Sequence, residues 1–222
     1  MDQKIRVIIT GVTGMVGEGV LYECLNHPDV EAILVINRKP CGYTHPKLKE
    51  IIHDDFFDFS SIEDQLIDYN ACYFCLGISS VGVAKDHYYR MTYILTINFA
   101  TILCKLNNGM TFCYVSGAGT NSKEQGGASW ANLKGKTEND LMKLPFKQVF
   151  NFRPGIIKPT AGLKNTHKPY KFFAWLFPIL KVINKNSYVT LKEIGLAMIN
   201  TSKLNNQRTV VEVKDIKAMA IK

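Results

Sequence analysis

TGVTGMVG, residues 10–17, separates an apolar segment at 4–10 from an amphipathic stretch. Its glycines have the spacing GxxGxxG, and they stand after a predicted strand and before a predicted helix. Gly11 permits a tight turn, Gly14 lets the backbone approach a diphosphate, and Gly17 lets the helix pack closely on the strand. The alternative is a turn of the same shape that holds no ligand. The context favours a dinucleotide-binding turn formed by Gly11, Thr13, Gly14, Met15, Val16 and Gly17.

Strand and helix patterns alternate along the rest of the chain. Apolar strands are predicted at 4–10, 32–37, 48–52, 71–77, 110–116, 147–152 and 208–213. Helices are predicted at 15–27, 61–69, 86–107 and 129–143. A capping box of Ser60 and Glu63 opens the 61–69 helix, and a second one, of Thr190 and Glu193, opens a further helix. Near-continuous apolar strands separated by helices predict a parallel sheet covered on both faces. The fold class is therefore α/β: one doubly wound Rossmann-like domain over 1–222, to which 156–205 contributes a small C-terminal cap.

The residues after the second predicted strand bear on the choice of cofactor. An NAD site needs an acidic residue about 20 positions past the glycine turn, for the ribose hydroxyls. This chain has Asn37, Arg38 and Lys39 there. No carboxylate repels a 2′-phosphate, and two cations can bind it. The sequence predicts NADP in preference to NAD.

Charge is distributed unevenly along the chain, which has a net charge of +8. Residues 1–110 carry 9 basic and 13 acidic side chains, whereas residues 111–222 carry 18 basic and 6 acidic ones. This asymmetry suggests an anionic partner for the second half: a phosphate-bearing ligand, a lipid surface or nucleic acid. Nucleic acid is the least favoured, since five arginines are few for gripping bases or phosphates.

The apolar segments and the cysteines bear on where in the cell the protein is expected and on whether it binds a metal. No run approaches the roughly 20 apolar residues of a membrane span, and the N-terminus lacks the apolar core of a signal peptide. We therefore expect a soluble, cytoplasmic protein. Cys72 and Cys75 suggest a metal or redox site, but residues three apart on a strand face opposite ways and no second CxxC exists. We expect buried, reduced thiols and no metal site.

Five stretches, taken in order, resemble the short-chain dehydrogenase/reductase superfamily. They are TGVTGMVG, FCLG at 74–77, YVSGAG at 114–119, the predicted helix carrying Lys134, and FRPG at 152–155. The order and spacing are similar to those of its atypical, NAD(P)-binding, epimerase-like members, such as the small relatives of the Tat-interacting NADPH-binding protein. The resemblance extends over nearly the whole chain.

The resemblance implies further cofactor contacts. Those beside the adenine would be Asp54, Asp55 and Phe56, although the two aspartates are equally well explained as solvated loop residues. Those on the ribose and nicotinamide side would be Leu76, Gly77, Lys134, Pro154 and Gly155.

The superfamily's usual proton donor is missing. A tyrosine normally stands four residues before the lysine, on the same helix face, and here that position is Trp130. An indole N–H can donate a hydrogen bond but cannot deliver a proton. Two other YxxxK strings, at 43–47 and 188–192, lie outside the expected place.

Other polar residues are open to two interpretations. Ser116, at the end of the fifth strand, either orients a substrate oxygen or caps a loop, and the alternative hydroxyls in the following loop are Thr120 and Ser122. A replacement acid would come from the predicted helix at 86–107, where the candidates are His87, Tyr88, Tyr89 and Tyr93. Aromatic residues at helical spacing more often belong to a core.

A lysine-rich segment lies between residues 156 and 187. It has six lysines and no acidic residue, and it includes YKFFAWLFPIL at 170–180. It is interpreted as a lid over an anionic or apolar substrate, as a peripheral membrane contact, or as an ordinary helix with solvated lysines.

The sequence as a whole predicts an NADP(H)-binding, epimerase/dehydratase-like oxidoreductase whose substrate and oligomeric state it does not assign. In that enzyme Lys134 would hold the ribose and Ser116 would orient the substrate. The alternative is a non-catalytic NADPH-binding or sensing protein that acts through a protein or membrane partner.

Overall fold

The computed structural model describes residues 3–165, 188–204 and 208–221. Its strands are β1 (Ile5–Thr10), β2 (Val30–Asn37), β3 (Leu48–Ile52), β4 (Ala71–Phe74), β5 (Thr111–Val115), β6 (Gln148–Arg153), β7 (Ile156–Lys158), β8 (Tyr188–Thr190) and β9 (Arg208–Glu212). Its helices are α1 (Met15–Asn26), α2 (Lys85–Tyr89), α3 (Leu95–Leu106), α4 (Ser129–Leu141), α5 (Leu191–Thr201) and α6 (Val213–Ala220). A π-helical turn at Arg90–Ile94 joins α2 to α3 without a break.

Seven strands form one parallel sheet in the order β3-β2-β1-β4-β5-β6-β9. The order reverses between β1 and β4, and this switch point is where ligands bind to doubly wound sheets. A separate pair, β7 and β8, is also parallel. The predicted α/β class and doubly wound parallel sheet are confirmed.

Each face of the sheet is covered by its own apolar layer. On one face β1, β2 and β6 pack against α1, α5 and α6 through residues such as Val20, Ile194 and Ile216. On the other face the sheet packs against α3 and the segments around Phe59 and Phe146. Cys72 belongs to the second layer and Cys75 packs against the first, so the two thiols of CYFC face opposite ways, as predicted.

Two sequence predictions of local structure are wrong, and one pair of strands was not predicted. The predicted helix at 61–69 is only a 3₁₀ turn, Glu63–Gln65, with Gln65 N–H bonded to Ile62 O at 2.9 Å. A helix cannot run through to residue 69, because Asp68 has φ of 67°, a left-handed conformation that an α-helix excludes. The last strand ends at Glu212, and the residues that follow it, expected to be a tail, form α6. The strands β7 and β8 were not predicted, because each has only three residues.

One predicted helix cap agrees with the structure. The capping box of Thr190 and Glu193 opens α5, with the Thr190 hydroxyl accepting from Glu193 N at 3.1 Å. Within the described ranges, no helix is long and apolar enough to cross a bilayer. Most of the lysine-rich segment, residues 166–187, lies outside the described residues, so its three interpretations stay open.

Candidate functional site

The glycine turn between β1 and α1 is closed by backbone contacts. Gly11 has φ of +74°, and a Cβ there would lie 2.7 Å from the backbone carbon of Cys75 on the neighbouring strand end. A Cβ at Gly17 would lie 2.2 Å from Gly11 O. Gly14 is the N-cap of α1 and its N–H donates to Gly11 O at 3.0 Å. The turn therefore presents the free N–H groups of the first helical turn to whatever lies above it.

A cavity of about 470 Å³ opens at the carboxyl ends of β1, β2 and β4, beside this turn. Its volume is within the range of small-ligand sites, roughly 300–1,000 Å³. The lining comes from four separate parts of the chain: Gly11, Thr13, Ile36, Asn37, Arg38, Lys39, Asp54, Phe56 and Leu76. Eight of these nine were predicted as cofactor-binding residues, and the structure brings them together around one space.

A second cavity of about 350 Å³ shares Arg38, Asp54, Phe56 and Leu76 with the first. Its further walls are mainly apolar and consist of Asp55, Phe57, Met91 and Leu95. The Asp55 carboxylate accepts a hydrogen bond from Phe57 N at 2.8 Å, so this aspartate also shapes its own loop. The two cavities together form one cleft, polar near the glycine turn and apolar farther from it.

Glu50 is a residue near this cleft that the sequence analysis missed. It lies on β3, and its carboxylate accepts from Asn37 Nδ2 and from Cys41 N, both at 2.8 Å. Asn37 is thus fixed by a carboxylate that comes from the adjacent strand. The only sequence signal was an acidic residue inside a predicted strand, which is unremarkable without knowing that β3 pairs with β2.

Lys134 lies on α4, and its ammonium donates to the backbone oxygen of Ser116 at the end of β5. Burial lowers the pKa of Lys134 to about 8, and the nearby Glu138 carboxylate opposes that shift. The lysine is therefore held at the carboxyl edge of the sheet. It lines neither of the two cavities described above.

Ser116 is bound into a buried ionic network. Its hydroxyl lies within hydrogen-bond distance of Glu138 Oε1 and, at 3.1 Å, of Phe152 O. Glu138 is fully buried and forms an ion pair with Arg153, whose guanidinium also contacts Glu212 at 3.2 Å and Ser122. Glu138 and Arg153 were not predicted as site residues, although Glu138 follows Lys134 by one helical turn.

Trp130 and the remaining predicted nicotinamide-side residues, Gly77, Pro154 and Gly155, are spread along the same edge. The Trp130 ring approaches Gly119, at 3.4 Å from the position of a Cβ there. Pro154 is buried, and its oxygen accepts from Ala118 N at 2.9 Å. Gly155 follows it, and Gly77 has open space around its Cα. None of these four lines the two cavities.

Most of the hydroxyl and imidazole candidates for a replacement acid are bonded to other groups, exposed or buried in the core. Tyr93 donates to Asp140 on α4 at 2.7 Å, while His87 and Tyr89 are exposed. Tyr88 is buried, and burial raises its pKa. Thr120 donates to Gly117 O at 2.7 Å and so stabilises its own loop.

The described residues hold no group of three or more potential metal ligands. The six cysteines are free, and five of them are buried. Burial raises the pKa of the Cys113 thiol to about 12. These thiols are accordingly inert, protonated parts of the core.

Sequence comparison finds relatives of modest similarity. No family model matches the chain. "Protein FMP52, mitochondrial" from Candida albicans is 25% identical over 189 residues, which cover 79% of this chain and 81% of that protein. "Protein fmp52, mitochondrial" from Aspergillus clavatus is 26% identical over 174 residues, covering 74% and 70% respectively. Because these relatives carry mitochondrial names, the expectation of a cytoplasmic location is contradicted.

Structure comparison finds the fold in many solved proteins. A UDP-N-acetylglucosamine 4-epimerase from Methanobrevibacter ruminantium has a TM-score of 0.67 and 18% identity, with 95% of this chain and 77% of that one covered. The enzyme WbmG from Bordetella bronchiseptica, solved with NAD and UDP, has a TM-score of 0.68 and 14% identity, with 98% and 78% covered. A short chain dehydrogenase family protein from Francisella tularensis has a TM-score of 0.66 and 14% identity, with 96% and 98% covered. The chain therefore shares its fold with solved epimerase-like enzymes and with a short chain dehydrogenase family protein.

Proposed function

We propose that this protein binds a nicotinamide dinucleotide, NADP(H) in preference to NAD(H), in the cleft beside the glycine turn. The observation that carries the proposal is the 470 Å³ cavity, where the turn, both cations after β2 and the loop after β3 share one lining. The free N–H groups and positive end of the α1 dipole suit a diphosphate. Arg38 and Lys39 suit the extra phosphate that distinguishes NADP from NAD.

The residues of the cleft fit the adenine end of such a cofactor, and residues farther along the carboxyl edge of the sheet would take its nicotinamide end. Asp54, Asp55, Phe56 and Leu76 would contact the adenine end, where the second cavity is mainly apolar. Lys134 would hold the nicotinamide ribose, with Gly77 and the Pro154–Gly155 turn beside the nicotinamide. When bound, the dinucleotide supplies a centre that accepts or donates a hydride.

The function that best suits this site is that of an epimerase/dehydratase-like oxidoreductase acting on a small molecule. Solved neighbours in the fold are described with NAD and with UDP-sugars, which supports a small-molecule substrate. Ser116 and Lys134 would stand nearest the reacting groups. The usual tyrosine is replaced by Trp130, so the proton donor is a different group.

Calorimetric titration with NADPH and with NADH tests the cofactor proposal. We expect NADPH to bind at least about tenfold more tightly, a difference of roughly 1.4 kcal/mol. Arg38→Gln should weaken NADPH binding and leave NADH binding nearly unchanged. Lys49→Gln is the matched control, since Lys49 is an exposed cation that bonds Gln65 at 3.0 Å. Absence of binding for both dinucleotides would overturn the proposal.

A second candidate function is a non-catalytic NADPH-binding or sensing protein. Two observations favour it: Trp130 cannot deliver a proton, and the Ser116 hydroxyl is engaged by the buried Glu138. The test is the absorbance of bound NADPH during incubation with a panel of aldehydes, ketones and UDP-sugars. Oxidation by any of them supports the enzyme, and unchanged NADPH throughout the panel supports the sensor.

A further inference from the structure

Glu18 lies in the first turn of α1, beside the glycine turn, and is fully buried. Its carboxylate accepts three hydrogen bonds, from Tyr43 Oη at 2.7 Å, Lys164 N at 2.8 Å and Asn165 N at 2.7 Å. A buried carboxylate is stable only if its oxygens are well bonded, and bonds to a charged acceptor are strong. These four residues are called the Glu18 clamp below.

The donors of the Glu18 clamp come from two distant parts of the chain. Tyr43 belongs to the loop between β2 and β3, whereas Lys164 and Asn165 follow β7 in the second half. Burial and the Glu18 carboxylate both raise the pKa of Tyr43, so its phenol stays a hydrogen-bond donor. The first helix, the β2–β3 loop and the second half of the chain are thereby joined at one carboxylate.

Lys164 and Asn165 each make a second contact that tightens this junction. The Lys164 ammonium donates to Gly42 O at 3.1 Å and lies 4.9 Å from the centre of the Tyr43 ring. Asn165 Nδ2 donates to Val12 O, inside the glycine turn, at 3.4 Å. Residues 164 and 165 therefore touch both the turn and the β2–β3 loop.

The β2–β3 loop is the element that carries Arg38 and Lys39. Both of these side chains are exposed, and both line the 470 Å³ cavity. The start of the loop is held by Glu50, which accepts from Asn37 and Cys41. Its middle, at Gly42 and Tyr43, is held by the clamp. A loop fixed at both places loses less freedom when its cations bind a ligand.

We propose that the Glu18 clamp positions the β2–β3 loop, so that residues 164–165 of the second half set how strongly the site prefers a dinucleotide with a 2′-phosphate. This inference rests on the proposed NADP(H) binding. The clamp residues are positioning residues: they act through Arg38 and Lys39 and do not touch the dinucleotide themselves. Loosening the clamp should therefore weaken NADPH binding selectively, because only NADPH uses those two cations.

The test compares NADPH and NADH affinities, by calorimetry, for the parent and two variants of the full chain. Tyr43→Phe removes the hydrogen bond to Glu18 and keeps the ring; Lys164→Met removes the ammonium and keeps the backbone N–H. For each variant we expect the NADPH-over-NADH preference to fall about fivefold, the scale of one modest hydrogen bond, with NADH affinity within about twofold of the parent. Tyr69→Phe is the matched control, since Tyr69 lies just before β4, at the amino ends of the strands, whereas the clamp lies at their carboxyl ends.

The outcomes separate this inference from the proposed function. A parent without any preference for NADPH would defeat the proposed cofactor choice and the clamp with it. A parent that prefers NADPH, with variants that keep the same preference, would defeat the clamp alone. Equal loss of NADPH and NADH affinity would show a merely structural role and would also overturn the inference. Thermal unfolding of each variant, with the melting temperature compared with that of Tyr69→Phe, identifies variants that lose binding by unfolding.

Discussion

At the scale of single residues, Lys134 has the most altered environment among the predicted cofactor-binding residues. Its ammonium is held by Ser116 O, and burial brings its pKa from the ordinary 10.5 down to about 8. The Glu138 carboxylate one helical turn away acts in the opposite sense. Arg153, which forms an ion pair with Glu138, weakens that attraction. Desolvation prevails over the attraction, because the carboxylate is shared with a guanidinium.

The shifted pKa of Lys134 predicts a pH-dependent stability. Between about pH 8 and pH 10.5 the unfolded chain binds more protons at this lysine than the folded one, so stability rises with pH in that window. The parent should therefore gain stability relative to Lys134→Met as pH rises from 8 to 10.5, by at most about 3 kcal/mol. The difference should be constant below pH 8. Urea unfolding of both proteins across this range measures it, and a flat difference throughout would refute the assignment.

At the scale of elements, two glycines at the junction of β1 and α1, Gly14 and Gly17, have different roles. At Gly17 a Cβ would lie 2.2 Å from Gly11 O, so glycine is needed for the helix to pack on the turn. At Gly14 the nearest atom to a Cβ is 3.3 Å away, and φ is −103°, which any residue adopts. Gly17 therefore serves the fold, whereas Gly14 is expected to serve the ligand.

Alanine at each position distinguishes these roles. Gly17→Ala should destabilise the protein by about 1–3 kcal/mol or more, because backbone atoms must move. Gly14→Ala should leave unfolding nearly unchanged and weaken dinucleotide binding, since its methyl group would stand where the diphosphate approaches. Thermal unfolding and calorimetric titration of both variants provide the readouts. If Gly14→Ala bound NADPH as tightly as the parent, the turn would not be the diphosphate site.

At the scale of the whole molecule, one buried ion pair links the carboxyl edges of several elements. Glu138 from α4 binds Arg153 at the end of β6 and Ser116 at the end of β5, and Arg153 reaches Glu212 at the end of β9. Arg153 is mostly buried, with 11% of its side chain exposed. This network joins three neighbouring strands to the helix that carries Lys134.

Removing one partner of that pair should be far more harmful than removing both. Arg153→Met leaves a buried carboxylate without its cation, and we expect a loss of about 3–5 kcal/mol in the free energy of unfolding. Adding Glu138→Leu to that variant should recover a large part of the loss. Lys136→Met is the control, since Lys136 pairs with Asp140 on the opposite, exposed face and should cost at most about 1 kcal/mol. Denaturant titration of the parent, both single variants, the double variant and the control measures these differences, and additive losses would show that Glu138 and Arg153 do not act as a pair.

The sequence alone determined the architecture and one half of the candidate site. Apolar strands, helical periodicity and the turn at 10–17 are local signals, and a parallel sheet brings its carboxyl strand ends to one edge. For that reason Gly11 and Arg38 could be predicted as neighbours, whereas Asp54 and Leu76 were placed beside them only by the resemblance to a known superfamily. The helix expected at 61–69 was wrong, because the left-handed Asp68 is not visible in a hydrophobic pattern.

Only the tertiary structure decided the contacts of the buried charges. Glu18 and Lys164 are 146 residues apart, and Glu50 reaches Asn37 across a strand pair. No periodicity or motif specifies such contacts, because they depend on how strands align and how loops cross the sheet. The same holds for Ser116, whose hydroxyl could have faced the cleft but is bound to Glu138. A buried polar group is stable only with a hydrogen-bond partner, and the tertiary fold determines which partner lies within reach.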